Sequence, residues 1–275
     1  MCPVPSGPLP PGPVPPGPLP GPVPPGRARP DASPIEAALL DVAALGGFVA
    51  VDTHRATTPL TGNWAELAEL ISSPAVLLGR IAMIQATLAR NSGRPPSAVE
   101  LRVAASITHQ GLATRVLSPA LAVAVTSGLL LDVGWHRLRW QPGFGGAFPL
   151  SIQLDPPAGE PELGELAGRF AAHILRGPMA ELATAVQACC RLAPAIITGN
   201  LASAINGAAT SLVRQRPAQA ARAFALTRAI LAEPVLAVQN PVAGPGFRRR
   251  SCCLLYRASA GGRAALCPDC VLGGR

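Results

Sequence analysis

Proline placement constrains this chain more than any other feature. Of 275 residues, 32 are proline. A proline costs about 3 kcal/mol inside a helix and is well tolerated at its first position. Residues 1–33 contain GPLPPGPVPPGPLPGPVPPG, which lacks the glycine at every third position that collagen needs. This segment reads as a disordered, extended Pro/Gly-rich tail. Its PxxP spacings also fit a ligand for a proline-recognising domain.

Beyond the tail, prolines mark expected helix starts. Ser33-Pro34 opens a helix carrying Ala38, Leu39 and Leu40 that ends at Gly46-Gly47. Asn63 caps WAELAELI. Pro74 restarts a helix through VLLGRIAMIQATLAR, and Ser97 opens VELRVAASITHQGLATRVL. Ser118-Pro119 opens a short helix through Val125. Pro161 opens a helix with Leu163, Leu166, Phe170 and Ile174 on one face and Gly177 as its stop. Pro178, Pro194 and Pro217 start three more. Between Val125 and Pro161 the period changes: LLLDV, WHRLRWQ and FPLSIQL alternate as strands, with Leu138 and Trp140 set against Arg137 and Arg139. The sequence therefore predicts an α+β fold, mostly helical with a small antiparallel sheet. Residues 34–240 form the main domain, and a Pro/Gly-rich linker leads into a distinct segment, 241–275.

The apolar fraction of 49% supplies a substantial core, but aromatics are only 4%, so Ala, Leu and Val do the packing. The net charge is +8 and every basic residue is arginine. Acidic residues thin out after Glu181, where only Glu233 and Asp269 remain against eleven arginines. A basic C-terminal third suits an anionic cluster or ligand, and also peripheral association with a membrane surface. The arginine run at 248–250 is too short for a nucleic-acid arm and has no aromatic platform, so no nucleic-acid partner is expected. No secretory signal or long apolar run stands out, and AIITGNLASAINGAA suits a buried helix. The expected location is cytoplasmic, where disulfides are uncommon.

Four of the seven cysteines fall in RRRSCCLLYRASAGGRAALCPDC: Cys252 and Cys253, then Cys267 and Cys270 after a gap of thirteen residues. A disulfide between neighbours would strain the peptide. CPDC is a chelate of the kind zinc ribbons use. Adjacent cysteines diverge from the backbone, however, and suit the wider target of a [2Fe–2S] rhomb better than one small ion. Both metal readings stand on spacing alone, with the iron–sulfur one favoured. Arg248, Arg249, Arg250, Arg257 and Arg263 can offset the charge of such a centre and favour thiolate over thiol. Gly261 and Gly262 let the chain turn so that the two pairs converge.

FRRRSCCLLYR followed by CPDCVL resembles the C-terminal signature of the FhuF-type ferric siderophore reductases. That family carries adjacent cysteines, a gap of about ten residues and then CxxC. RVAASITHQGLATRVLSPALA resembles the family's helix-turn-helix segment, WHRLRW its short strand and GNLASAING its GN-x-AS helix. The tryptophan usual before that GN is Thr198 here. The likeness covers roughly residues 65–272. It implies a [2Fe–2S] cluster on Cys252, Cys253, Cys267 and Cys270, and a one-electron reductase that releases iron from a ferric siderophore. It further implies that residues 34–240 dock the siderophore, and that the electron donor is a separate protein of ferredoxin or flavin-reductase type. No GxGxxG follows a strand, so no nicotinamide or flavin site is expected. The rival readings are a structural-zinc binding module and an iron–sulfur electron carrier or sensor without reductase activity.

Other residues read more plainly. His109, near Gln110 and Arg115, is a hydrogen-bonded helix histidine or a contact to the siderophore. Asn200 and Ser203 cap or bridge helices. Cys189 and Cys190 are small buried hydrophobes, and Cys2 in the tail is uninvolved. His54 sits solvated in a loop, His136 and His173 stand alone, and Trp135 and Trp140 are packing residues.

Overall fold

The computed structural model of the chain describes residues 33–143, 145–154, 163–236, 242–262 and 266–273. The tail to residue 32 with Cys2, the helix start at Pro161, the Leu163 side chain, linker residues 237–241 and Arg263 lie outside the described residues.

Helix α1, Pro34–Ala43, starts as its sequence dictates: Pro34 takes the first position and the Ser33 hydroxyl accepts the Glu36 N–H at 3.3 Å. Strands β1, Asp52–His54, and β2, Ala65–Glu66, follow, then the short helix α2, Glu69–Ser72. Helix α3, Pro74–Asn91, repeats the Ser-Pro start, with Ser73 accepting from Val76 N–H at 3.4 Å. Helix α4, Leu101–Ser127, is the longest described element and stops at Gly128 with φ 77°. Strands β3, Leu138–Trp140, and β4, Leu150–Gln153, precede α5, Leu163–Phe170, which runs into a π-helical turn, Ala171–Leu175. Helices α6, Pro178–Cys190, α7, Pro194–Gln215, and α8, Ala220–Leu231, complete the main body.

Helix α4 is continuous where a break at Ser118-Pro119 and a helix-turn-helix were expected. Ser118 does not cap a new helix, because its hydroxyl turns back to donate to Thr114 O at 2.7 Å. Pro119 cannot donate to the Arg115 carbonyl. Its turn is nonetheless enclosed, with Leu117, Ala120 and Leu121 wholly buried, and that burial outweighs one lost hydrogen bond. α4 packs most extensively on α7, which is apolar and long enough by composition to cross a bilayer but here lies mostly buried in the protein. Small residues at the crossing, among them Ala104, Ala105, Ala113, Gly199, Ala202 and Ala209, thin both helices.

The sheet is mixed, not antiparallel throughout. Its order is β1-β4-β3-β2; β3 pairs antiparallel with β2 and β4, whereas β1 joins the far edge of β4 in parallel. The long helical crossover between β1 and β4 makes parallel pairing possible, where a tight turn would have forced the other sense. β1 was not expected at all, and His54, read as a solvated loop residue, is half-buried on it. WAELAELI divides: Ala65 and Glu66 pair with Trp140 and Arg139, and only its end turns helical. LLLDV buries Leu129, Leu131 and Val133 in strand-like alternation but joins no strand.

Two buried arginines fasten the sheet to the helices. Arg115 donates to Phe148 O at 2.8 Å, Phe48 O at 3.0 Å and Ala50 O at 2.7 Å. Burial lowers its pKa to about 10, with Asp52 opposing the shift, so it remains charged at neutral pH. Arg80 from α3 lies 5.2 Å from the ring centres of both Trp140 and Phe148.

Candidate metal centre

The C-terminal segment returns across the end of the α4–α7 pair. The central arginine of the 248–250 run points inward and is 1% exposed, while Arg248 and Arg250 face solvent. The Arg249 guanidinium donates to Asn200 Oδ1 on α7 at 2.5 Å, to Gln110 Oε1 on α4 at 3.4 Å and to Ser251 O at 2.8 Å. Its backbone N–H donates to Asp269 O at 3.1 Å, and Arg248 donates to Pro268 O at 2.7 Å. One short run thus ties the CPDC turn to both central helices.

Asn200 completes the link. Its amide nitrogen donates to Ser106 O at 2.9 Å and to Ser106 Oγ at 3.2 Å, and lies 3.5 Å from His109 Nδ1. His109 is wholly buried between the helices and presents no surface to a ligand. Burial, reinforced by Arg249, pushes its pKa down to about 3, so the ring is neutral. Ser203 receives a hydrogen bond from Gln110 at 3.2 Å. The expected bridging role of Asn200 and Ser203 holds, and Arg249 is what they serve.

Gly199 permits the approach. A Cβ built there would stand 2.1 Å from Ser251 Oγ and 3.1 Å from an Arg249 guanidinium nitrogen. The serine hydroxyl can rotate away from one methyl group, but a branched side chain would meet the arginine as well. Gly199→Val is expected to lift the segment off α7 while the helix itself persists. Amide hydrogen exchange should show faster exchange at residues 248–272 with little change in α4, and unchanged exchange would refute this close packing.

A second attachment holds the loop after the adjacent cysteines. Ala258 and Leu254 pack with Leu88, Ala89, Val99 and Val103 in a small core separate from the main one. Arg94 donates to Arg257 O at 3.2 Å, and Arg257 pairs with Glu100 at 2.6 Å.

The four cysteines meet as two pairs, each drawn from both motifs. Cys253 and Cys267 sulfurs are 3.7 Å apart, and Cys252 interacts with Cys270. Each pair has one buried member, Cys253 or Cys270, and one half-buried member, Cys267 or Cys252. Backbone N–H groups are aimed at the sulfurs: Leu254 at Cys252 (3.3 Å), Leu272 at Cys270 (3.4 Å) and Leu255 at Cys253. Leu254 achieves this in a left-handed conformation, φ 70°, which costs a side-chain-bearing residue about 1–2 kcal/mol. The CPDC turn closes through Cys270 N–H on Cys267 O at 3.0 Å.

The hydrogen bond with Cys267, aided by the Leu255 N–H and the Arg249 charge, lowers the Cys253 pKa. The same bond and burial raise that of Cys267, and burial raises that of Cys252. Among the described residues no group of three or more His, Cys, Asp and Glu side chains is placed to hold a metal ion. Cys189 and Cys190, at the end of α6, are half-buried against the main core instead of fully enclosed.

The sequence reading missed the buried network of Arg249, Gln110 and Asn200. A signal was present: Gly-Asn and Gln in otherwise apolar helices are polar groups that demand a partner. Neither a protein-family model nor a curated protein matches this sequence.

Proposed function

We propose that the chain reduces siderophore-bound ferric iron by one electron, with Cys252, Cys253, Cys267 and Cys270 holding a [2Fe–2S] cluster. The observation that carries this reading is the cross-motif pairing, Cys253 with Cys267 at 3.7 Å and Cys252 with Cys270. Two thiolates per metal is the donor pattern of a two-iron centre. A lone zinc would need all four sulfurs on one ion at about 2.3 Å, and a structural-zinc module is the reading that metal analysis sets against this one. The CysCys and CPDC ending that resembles the FhuF-type reductases points the same way.

When bound, such a cluster accepts and donates single electrons. The protein's own groups favour that use. Half-buried Cys252 and Cys267 bring the centre to the surface. Arg249 offsets negative charge from within, and the directed N–H groups steady the sulfurs. Exposed Arg94, Arg248, Arg250 and Arg257 give an approaching anionic chelate a basic rim. Ferric iron is hard and tightly held by oxygen chelators, and one electron loosens it, so no general base or nucleophile is required. The electron donor in this proposal is a separate ferredoxin or flavin-reductase type protein, and the setting is the cytoplasm.

Metal and acid-labile sulfide analysis of anaerobically purified protein tests the assignment. Iron and sulfide in equal amounts, with a paramagnetic signal after dithionite, are expected; colourless protein with stoichiometric zinc would overturn it. Dithionite-reduced protein should then release Fe(II), trapped by ferrozine, from a ferric siderophore. Iron–sulfur protein inert in that assay would be an electron carrier instead.

A further inference from the structure

A cleft of about 430 Å³ opens between the outer face of the sheet and residues 58–64. Register builds its floor. Asp52 and Arg139 both pair with Ser151, and Glu66 pairs with Arg139, so Asp52, Ser151, Arg139 and Glu66 form one row across β1, β4, β3 and β2, of which the first three line the cleft. Side chains laterally paired in a sheet project from the same face, and His54, two residues beyond Asp52, shares it. Ile152 and Leu138 take the opposite, buried face.

Within the cleft the floor runs from the Asp52 carboxylate to the Arg139 guanidinium, with Glu66 beyond Arg139 and outside the lining. The Arg139 side chain is half-buried and makes no hydrogen bond or ion pair among the described residues. Asp52 is exposed and lies two strand positions away, about 10 Å between backbones. Between them Ser151, 5% exposed, is bonded through Oγ to His54 Nδ1 at 2.8 Å. Burial and Arg139 lower the His54 pKa to about 4, so it offers hydrogen bonding but no charge at neutral pH. The opposite wall mixes Thr58 and Thr61 with the apolar Pro59, Leu60 and half-buried Trp64.

We propose that this cleft binds a small zwitterion of the α-amino-acid type, its carboxylate on Arg139, its ammonium on Asp52 and its side chain against Trp64 and Leu60. Charge complementarity selects this class. A plain anion would satisfy Arg139 but leave the Asp52 carboxylate across the cleft unmatched, and a plain cation would leave Arg139 unmatched. A ligand carrying both charges satisfies both ends, while the fixed Ser151–His54 pair offers polar contact between them. The site does not depend on the cysteine centre. Val103 of α4 packs beside the cysteine loop and Arg115 reaches the sheet, and those twelve residues span about 18 Å of helix.

Isothermal titration calorimetry on the full chain tests this with L-leucine and L-phenylalanine as probes. Isocaproate and isoamylamine serve as controls, each keeping the leucine side chain and only one charge. At least one amino acid should bind, with the matching one-charge compounds at least about tenfold weaker for leucine. Arg139→Gln, outside the core, should weaken binding by a similar factor while the melting temperature and iron content stay unchanged, and Asp52→Asn should weaken binding likewise in protein shown to be folded by circular dichroism. Silence from both amino acids, equal binding of isocaproate, or full binding by Arg139→Gln would overturn the proposal. Each result is independent of whether iron is present.

Discussion

On the proposed cluster assignment, Cys253→Ser should yield a colourless protein with little iron or sulfide, whereas Cys189→Ser should keep both. Cys253 is 2% exposed, lies 3.7 Å from Cys267 and has the lowered pKa of that pair. A serine hydroxyl is shorter, harder and ionises far less readily than a thiol, so it replaces the thiolate poorly. Cys189 stands on α6, packed at the rim of the main core. Visible absorbance and metal analysis of the two variants, prepared alike, provide the measurement. Full colour in Cys253→Ser, or its loss in Cys189→Ser, would assign the ligands elsewhere. Circular dichroism should show both variants folded, since one buried sulfur contributes little to a core of this size.

Arg249→Met should reduce stability by about 2–4 kcal/mol, because Asn200 Oδ1, Gln110 Oε1 and Ser251 O would lose their buried donor. Methionine fills much of the space, which limits the cavity contribution. Arg249→Lys should fall between the two, since a compact ammonium cannot span three acceptors held by a planar fork. Denaturant unfolding measures the loss, and a change below about 0.5 kcal/mol would class Arg249 as a surface residue. In protein that binds the cluster, both variants should change its content, but only methionine removes the neighbouring charge. The reduction potential should therefore fall for Arg249→Met and stay near wild type for Arg249→Lys. Equal potentials in all three would leave Arg249 a purely structural tie.

The helices were legible because their starts are local chemistry. Ser33-Pro34 and Ser73-Pro74 each combine an acceptor side chain with a residue that lacks the N–H a first turn cannot use. Pro119 deceived because the same Ser-Pro pair is overruled when every face of the helix is buried, a condition set by partners far along the chain. β2 was illegible for a similar reason: Ala65 and Glu66 have no strand preference and are extended only because β3 offers them a free edge. At the cysteines, residue types and spacing were plain in the sequence, but which thiol faces which was not. That depends on the left-handed turn at Leu254 and on the inward Arg249, whose neighbours at 248 and 250 look identical in one dimension.

The small group of apolar side chains beneath Leu254 and Ala258 stands apart from the main interior. A sulfur-bearing flap seated on its own miniature interior, with one buried arginine as its bolt, can detach without the helical body melting. On warming, any iron held by the four cysteines should escape before the protein denatures, and a protease should clip the carboxyl end while the rest stays intact.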